Sequence, residues 1–579
     1  MVQIFICWIW ILLCSGLWGY LAIRCIKFIL GRTQNNEYIT LDYVIIFGIG
    51  VLAVFAEYFS LISGVGFWAN VILLVVDLLV MICWRKDIIS TLKKHYINKK
   101  TLAIKLGIIL LLSFIVMSSM FEPLTYDTGL YHMQSILWIQ KYGVVAGLGN
   151  LHHRFAYNSA LMCLQALFSM KFLFGQQLHC VNGFILTFFL CYIVFSFKGI
   201  KYKRLFVSDF TRLAFLVYFN FDYFYSSCGS DFASLCIVVY IVIKYIEGLE
   251  SDINDIEYYI LISFMALIIV SFKLSVAMIV ILAIYPVVIM LKDKQYNIIF
   301  RCTAIGMILL LPYIIRNVII SGYLIYPFPA LDLFSFDWKM NRYVCMWDSK
   351  EIQSWAQGIR NPNLSPTLNE WFGVWWESLS ISHRRLCMLS AVSIVALIVI
   401  SVIEYKNKRD IRKPVLSVTL LALCSYWFVS APGMRFGSVY VILPPLILIG
   451  YILTIIQKYT PSIYQLGILT TIFVAGLQFR PIMEKAVKFE IDDKNKIVTQ
   501  ADSEEFSYIN MKLGNVDIYI PEDGDRIGDQ AFPSTPYMGN LELIELRGDS
   551  LENGFRIKDE YKGSCFNTYG NFIEPDIFE

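Results

Sequence analysis

Fourteen stretches of about twenty mostly apolar residues, separated by short charged or Pro- and Gly-bearing segments, run through this 579-residue chain. A helix of that length matches the roughly 30 Å hydrocarbon layer of a bilayer and satisfies its own backbone groups there. The runs fall at about 4–23, 41–62, 66–84, 102–120, 178–197, 205–226, 231–247, 257–272, 274–291, 297–320, 386–404, 415–430, 439–456 and 461–479. Hydrophobic residues make up 57% of the chain and charged residues 16%, against roughly 25% charged in a soluble domain. Most of the surface must therefore face lipid. The expected fold class is an all-α polytopic membrane protein of about fourteen transmembrane helices with a small α+β domain at its C-terminal end. The net charge of +3 is small and unevenly spread, so no nucleic-acid partner is implied. The 14 cysteines show no CxxC pair and no metal or disulfide spacing, and read as packing residues. The run from Gln3 to Ile23 lacks a basic segment ahead of it and a small-residue cleavage site, so it reads as a first span.

Short cytoplasmic loops are enriched in Lys and Arg, and four basic runs define one orientation. Arg24, Lys27 and Arg32 follow the first span, and Arg85, Lys86, Lys93, Lys94, Lys99 and Lys100 follow the third. Lys198, Lys201, Lys203 and Arg204 follow the fifth, and Lys406, Lys408, Arg409, Arg412 and Lys413 follow the eleventh. Alternate crossings put all four on one side, taken as cytoplasmic, and both termini on the other. Three domains are expected: N-terminal spans in 1–101, a membrane core in 102–479 with large outer loops at 121–177 and 321–385, and a soluble extracytoplasmic domain in 480–579. In the acidic tail, Val516–Ile520 and Leu541–Leu546 alternate as strands do. Tyr157–Phe174 is apolar, but a crossing there would put Lys198–Arg204 on the wrong side. It is expected to be an interfacial or half-buried helix. Asp77, in the middle of the third run, is expected to be hydrogen-bonded between helices.

Four of the six histidines, His132, His152, His153 and His179, fall in the first outer loop and its exit, with Glu122, Asp127 and Arg154. A carboxylate just past a span end sits where a base can meet a lipid-borne substrate, and general-base catalysis contributes typically about 10²–10⁴-fold. The plainer reading is that Asp127 caps a helix starting at Thr128, with Tyr131 and His132 packed on it. Other outer span ends also carry charge: Asp231 after Ser226–Ser230, Lys273 between two runs, Arg316 at the end of the tenth, and Arg435 in Ala431-Pro-Gly-Met-Arg-Phe-Gly. Ionised groups at membrane depth are costly and are usually paired or functional. Gathered at one face, these cations would make a phosphate site; singly, Lys273 and Arg316 would only snorkel to headgroups. His132, His152 and Asp127 are of metal-ligand type, but their spacing fixes no divalent metal.

The strings Tyr126-Asp-Thr-Gly-Leu-Tyr131-His132, Gly147-Leu-Gly-Asn-Leu-His152, Arg316-Asn-Val-Ile-Ile-Ser-Gly-Tyr323-Leu-Ile-Tyr-Pro327 and Arg435-Phe-Gly resemble uncharacterised bacterial multi-pass proteins placed in the GT-C superfamily of glycosyltransferases. The long first outer loop with an acid just after a span, the second acid at the outer start of a later span, and the outer C-terminal domain are similar to that superfamily, which includes protein O-mannosyltransferases and the lipid A aminoarabinose transferase. The resemblance runs from about Leu102 to the end, with the first three spans as an addition. It implies a bacterial inner-membrane enzyme that moves a sugar from a polyprenyl-phosphate carrier to an extracytoplasmic glycan, lipid or protein acceptor. On that resemblance Asp127 is the base or the carboxylate that orients the acceptor, with Glu122 and His132 completing the expected catalytic set. Lys273, Arg316 and Arg435 would hold the departing lipid phosphate, since preorganised cations at developing negative charge are a large catalytic term. Tyr131, His152, Arg154 and Asp231 complete the expected substrate-binding set. Some superfamily members have adjoining acids, whereas here Glu122 and Asp127 are apart. An envelope polysaccharide polymerase or ligase fits the same outer loops, whose Trp338, Trp347, Trp355, Trp371, Trp375 and Trp376 suit sugar stacking or an interfacial belt. A transporter or flippase would instead place functional charge at mid-membrane and on both faces.

Overall fold

The computed structural model describes residues 2–31, 38–94, 107–108, 125–221, 227–465, 467 and 505–578. Among these, nine helices are long and apolar enough to cross a membrane: Val2–Ile29, Leu41–Ser60, Phe67–Ser90, Ser230–Glu250, Leu274–Lys292, Tyr296–Ser321, Ile381–Lys408, Arg412–Ser430 and Met434–Tyr459. Shorter apolar helices lie at Val181–Ser196, Val207–Phe221 and Ile256–Phe272, where spans were also expected. Most of the expected spans at 102–120 and 461–479 falls outside the described residues. Close approach of backbones, rather than hydrophobic transfer, binds helices in lipid. The first two helices cross at Gly19 and Gly48, where an added Cβ would lie 1.9 Å from the Val44 carbonyl oxygen and 1.8 Å from that of Ser15.

Ion pairs identify the two ends of the bundle. At one end Lys27 meets Glu257, Arg24 meets Asp87, Lys198 meets Glu247 and Glu250, Arg412 meets Asp252 and Asp410, and Lys413 meets Glu404. Residues from three of the four basic runs thus share a face, and Asp87, beside Arg85 and Lys86 of the fourth, joins them. Arg212, Asp209, Lys244 and Asp42 join this network, which the sequence reading did not anticipate. At the opposite end the start of the first helix touches Phe168 and Cys180, through Cys7 and Trp8. Asp77 is buried against the first helix beside Cys14 and Trp18.

Two local expectations are corrected. Within 157–174, the helix Ala160–Leu167 is buried at all eight positions and so is not half-buried. At 1.5 Å per residue it is about 12 Å long, too short to cross. Ser159 starts it by accepting from Leu161 N, and its hydroxyl donates to Phe272 O at 2.7 Å. In the tail, 541–546 is not one strand: Met538–Leu543 is helical and the strand is Ile544–Leu546. Leu541, Leu543 and Ile544 are all buried, a pattern that one helical turn running into a strand satisfies.

The tail has two antiparallel pairs. β1 (Tyr508–Leu513) joins β2 (Val516–Pro521) through a two-residue Gly514–Asn515 turn, and β3 (Ile544–Leu546) pairs with β4 (Phe555–Ile557). These small sheets borrow their core from the large loops at 121–177 and 321–385. Trp138 is buried against Phe532 and Phe555, Thr535 donates to Leu151 O, and Phe555 N donates to Ala146 O at 2.9 Å. Asn341 Nδ2 donates to Ser564 O, and Arg547 pairs with Asp337. The tail and both large loops therefore occupy the same face of the bundle.

Candidate functional site

Asp127 precedes a five-residue π-helical turn, Thr128–His132, a geometry that often marks functional positions. Its carboxylate makes no capping hydrogen bond to that turn, so the cap reading fails. It faces Arg435 instead, with Nη2 to Oδ2 at 2.6 Å, while Arg154 Nη1 lies 3.4 Å from Oδ1. Arg435, in the first turn of Met434–Tyr459, also donates from Nε to Asp231 Oδ2 at 2.8 Å. Asp231 stands in the first turn of Ser230–Glu250 and accepts Lys273 as its second partner. Lys273 sits on extended backbone (φ −156°, ψ 125°) where Ile256–Phe272 ends, and its ammonium lies 4.6 Å from the centre of the Phe436 ring.

Four separate stretches of chain thus bring three cations and two carboxylates into one chain of ion pairs. Both carboxylates are largely shielded, with side chains 17% and 11% exposed. Removing Asp231, the shared partner of Lys273 and Arg435, would strand partly buried charge, which costs more than a pair itself contributes. Burial alone would raise the Asp127 pKa, but Arg435, His132 and Arg154 outweigh it and hold the group below the usual carboxylate range. His132 is buried beside Asp127; burial pushes its pKa down to about 4 despite the carboxylate, so the ring is neutral at pH 7.

Hydroxyls line the same turn. Thr125, Thr128 and Ser227 are mutually within 2.5–3.0 Å, and the Asn182 side chain donates to the carbonyls of Ser227 and Gly229. These contacts set the 227–231 turn that presents Asp231. The tail closes over the site: Ile527 and Gly528 donate to Gly129 O at 2.9 and 2.8 Å, and Tyr126 donates to Asp525. Thr125, Asn182 and the tail residues escaped the sequence reading. The string ahead of Asp231 was a signal for Ser227, but nothing local marks Asp525.

The other expected residues are placed as follows. Tyr131 is buried in the site, with Arg154 5.8 Å from its ring centre. Glu122 lies outside the described residues. Arg316 stands apart from Lys273 and Arg435: it donates to Asn158 Oδ1 at 3.0 Å, to Ser60 and towards Gly143 O, tying the 143–158 segment to the Leu41–Ser60 helix. His152 is buried against Phe155 and Tyr537, so His132, His152 and Asp127 do not form a ligand set. A cavity lined by Trp138, Phe155, Tyr157 and Arg316 lies behind the loop.

The buried neutral His132 gives the fold an acid sensitivity. Its pKa is about 4 in the folded chain against 6.5 for the free side chain, so the unfolded chain binds the proton more tightly. Stability is full above pH 6.5 and is lost as pH falls toward 4. The loss between pH 7 and 5 is roughly 2 kcal/mol. Thermal unfolding in detergent at the two pH values should show it, and His132→Gln should remove this share of the difference, with the buried His152 and His153, whose pKa values burial also lowers, supplying more. An unchanged pH dependence in that variant contradicts the assignment.

No curated protein and no solved structure matches the chain. Residues 1–442, which carry Asp127, Asp231, Lys273 and Arg435 together with the first three helices, match the family described as Domain of unknown function (DUF8201), and the chain belongs to that family.

Proposed function

We propose that this chain is a membrane glycosyltransferase that takes a sugar from a polyprenyl-phosphate-linked donor and passes it to an acceptor hydroxyl outside the cytoplasm, in a bacterial inner membrane. The supporting observation is the convergence of Arg154, Lys273 and Arg435 on Asp127 and Asp231 at the loop-covered end of the bundle. Three cations against two carboxylates leave one positive charge in the group, and an arriving phosphate is the anion that balances it. Engaged with phosphate, Arg435 loosens its hold on Asp127, whose carboxylate then becomes basic enough to take the acceptor proton. The cations remain to stabilise the phosphate that leaves, while the docked tail keeps water from the donor. The GT-C likeness, the outer orientation and the base role of Asp127 belong to this reading.

Binding of polyprenyl phosphate tests the first step. Wild type should bind it in native mass spectrometry, and Arg435→Gln with Lys273→Met should weaken binding by about ten-fold or more, since hydrogen bonds to charged groups contribute about 1.5–3 kcal/mol each. Equal binding by the variant removes the phosphate role. Orientation is tested by thiol labelling in spheroplasts: a cysteine at the exposed Glu560 should react with an impermeant reagent, and one at the exposed Asn407 should stay protected. The reverse pattern would turn the Asp127 centre toward cytoplasmic donors.

The ion network at the opposite end is the one observation favouring a transporter, which needs charge at both faces. Its Arg212, Lys244 and Lys198 are each already matched to carboxylates. That saturation suits a tie between helix ends better than a transport site.

A further inference from the structure

We propose that His153, Asp348 and Glu351 bind one divalent transition-metal cation, zinc or manganese, which ties the two outer loops and the C-terminal domain together beside the Asp127 centre. Asp348 and Glu351 are three residues apart on the helix Arg342–Gln357 and so share a face, while His153 begins the short turn His153–Ala156 of the first loop. One ligand atom from each lies within 4.8 Å of the others. A cation at roughly 2.0–2.2 Å from nitrogen and oxygen donors would hold them about 3.3 Å apart, so small side-chain rotations close the site.

The surroundings point to a missing ligand. The three residues are 2%, 1% and 5% exposed, and Asp348 Oδ2 makes no well-formed hydrogen bond, although the Tyr326 hydroxyl stands near the carboxylate. Neither His153 ring nitrogen makes a well-formed hydrogen bond: Nε2 lies 3.6 Å from Asp348 Oδ1, and the Thr568 carbonyl adjoins the ring as an orienting acceptor. The remaining carboxylate oxygens are positioned from outside. Tyr157 donates to Asp348 Oδ1 at 2.6 Å, Thr568 Oγ1 donates to Glu351 Oε2 at 3.2 Å, and Tyr569 donates to Glu351 Oε1. Donors of this kind fix ligand orientation around metals. Two buried carboxylates beside one histidine need more positive charge than Arg154 supplies, since Arg154 acts on Asp348 but forms its ion pair with Asp127. A cation with one nitrogen and two oxygen ligands fits zinc or manganese and leaves a position for water. A cavity lined by His153, Asn341, Val344 and Thr568 adjoins it.

The inference does not depend on sugar transfer. Full-length protein purified in detergent would be stripped with EDTA and dialysed separately against Zn²⁺ and Mn²⁺, with bound metal measured by mass spectrometry and stability by thermal unfolding. Wild type should take up about one equivalent of one of the two and gain thermal stability. Asp348→Asn and Glu351→Gln keep side-chain size and should weaken binding roughly 10–100-fold, as should His153→Ala, while His152→Gln retains both responses. No stoichiometric uptake by wild type, or full uptake by all three variants, overturns the site. Should the variants fail to fold, X-ray absorption of the metal-loaded wild type decides: a shell of nitrogen and oxygen with one imidazole supports it, and a shell without imidazole overturns it.

Discussion

Asp127→Asn is expected to insert, purify and bind polyprenyl phosphate like the wild type, yet to lose about two or more orders of magnitude in transfer rate. The substitution keeps the side chain's size but removes its ability to take a proton. Arg435 retains its bond to Asp231 in the variant, so the cluster is not left open. Asp231→Asn should behave differently. It removes the shared partner of Lys273 and Arg435, and stranding buried charge costs about 3–5 kcal/mol, so its defect should appear first in expression and thermal stability. Glu122→Gln is expected to cost less than Asp127→Asn. Transfer assays on the purified variants separate these cases: a near wild-type rate for Asp127→Asn with an inactive Glu122→Gln passes the base role to Glu122.

Gly554→Ala should undock the C-terminal domain. The glycine has φ +87°, and a Cβ there would lie 2.0 Å from the Ala146 carbonyl oxygen, a backbone atom of the first large loop. Gly147 answers it from the other side, with φ +64° and a Cβ position 2.2 Å from Phe555 O. Neither contact has a flexible side chain that can give way. The left-handed conformation alone costs roughly 1–2 kcal/mol in a non-glycine residue, and the clash adds to that. Gly563→Ala is the control, because it has φ +86° and nothing within 4 Å of its Cβ. Limited proteolysis should release the tail from Gly554→Ala many times faster than from Gly563→Ala, and transfer should fall with it. Equal protection of the two variants would mean that docking does not depend on this contact.

Features set by residues close in sequence were legible; those set by packing were not. Hydropathy located the described long helices because lipid demands apolar length, and positive charge sorted Lys198 and Lys413 onto one end of the bundle. Asp127, Lys273 and Arg435 were recognised as cations and acids at span ends, but nothing local says that Asp231 joins two of them. Arg316 carries the same signal as Arg435 and turns to Asn158 and Ser60 instead, since its helix presents it to the loop interior. Ala160–Leu167 has the hydropathy of an interfacial helix, and only the surrounding helices reveal full burial. The dependence of the tail on Trp138 and Ala146 is equally non-local: two small two-stranded sheets are marginal alone.

The most direct measurement is turnover of a lipid-linked sugar in proteoliposomes. Purified wild-type chain, given the polyprenyl-phosphate sugars and envelope acceptors of its own host's membranes, should release free polyprenyl phosphate and glycosylate an acceptor, and Asp127→Asn should do neither at a comparable rate. An unchanged lipid pool with wild type, or equal release by Asp127→Asn, would contradict the account.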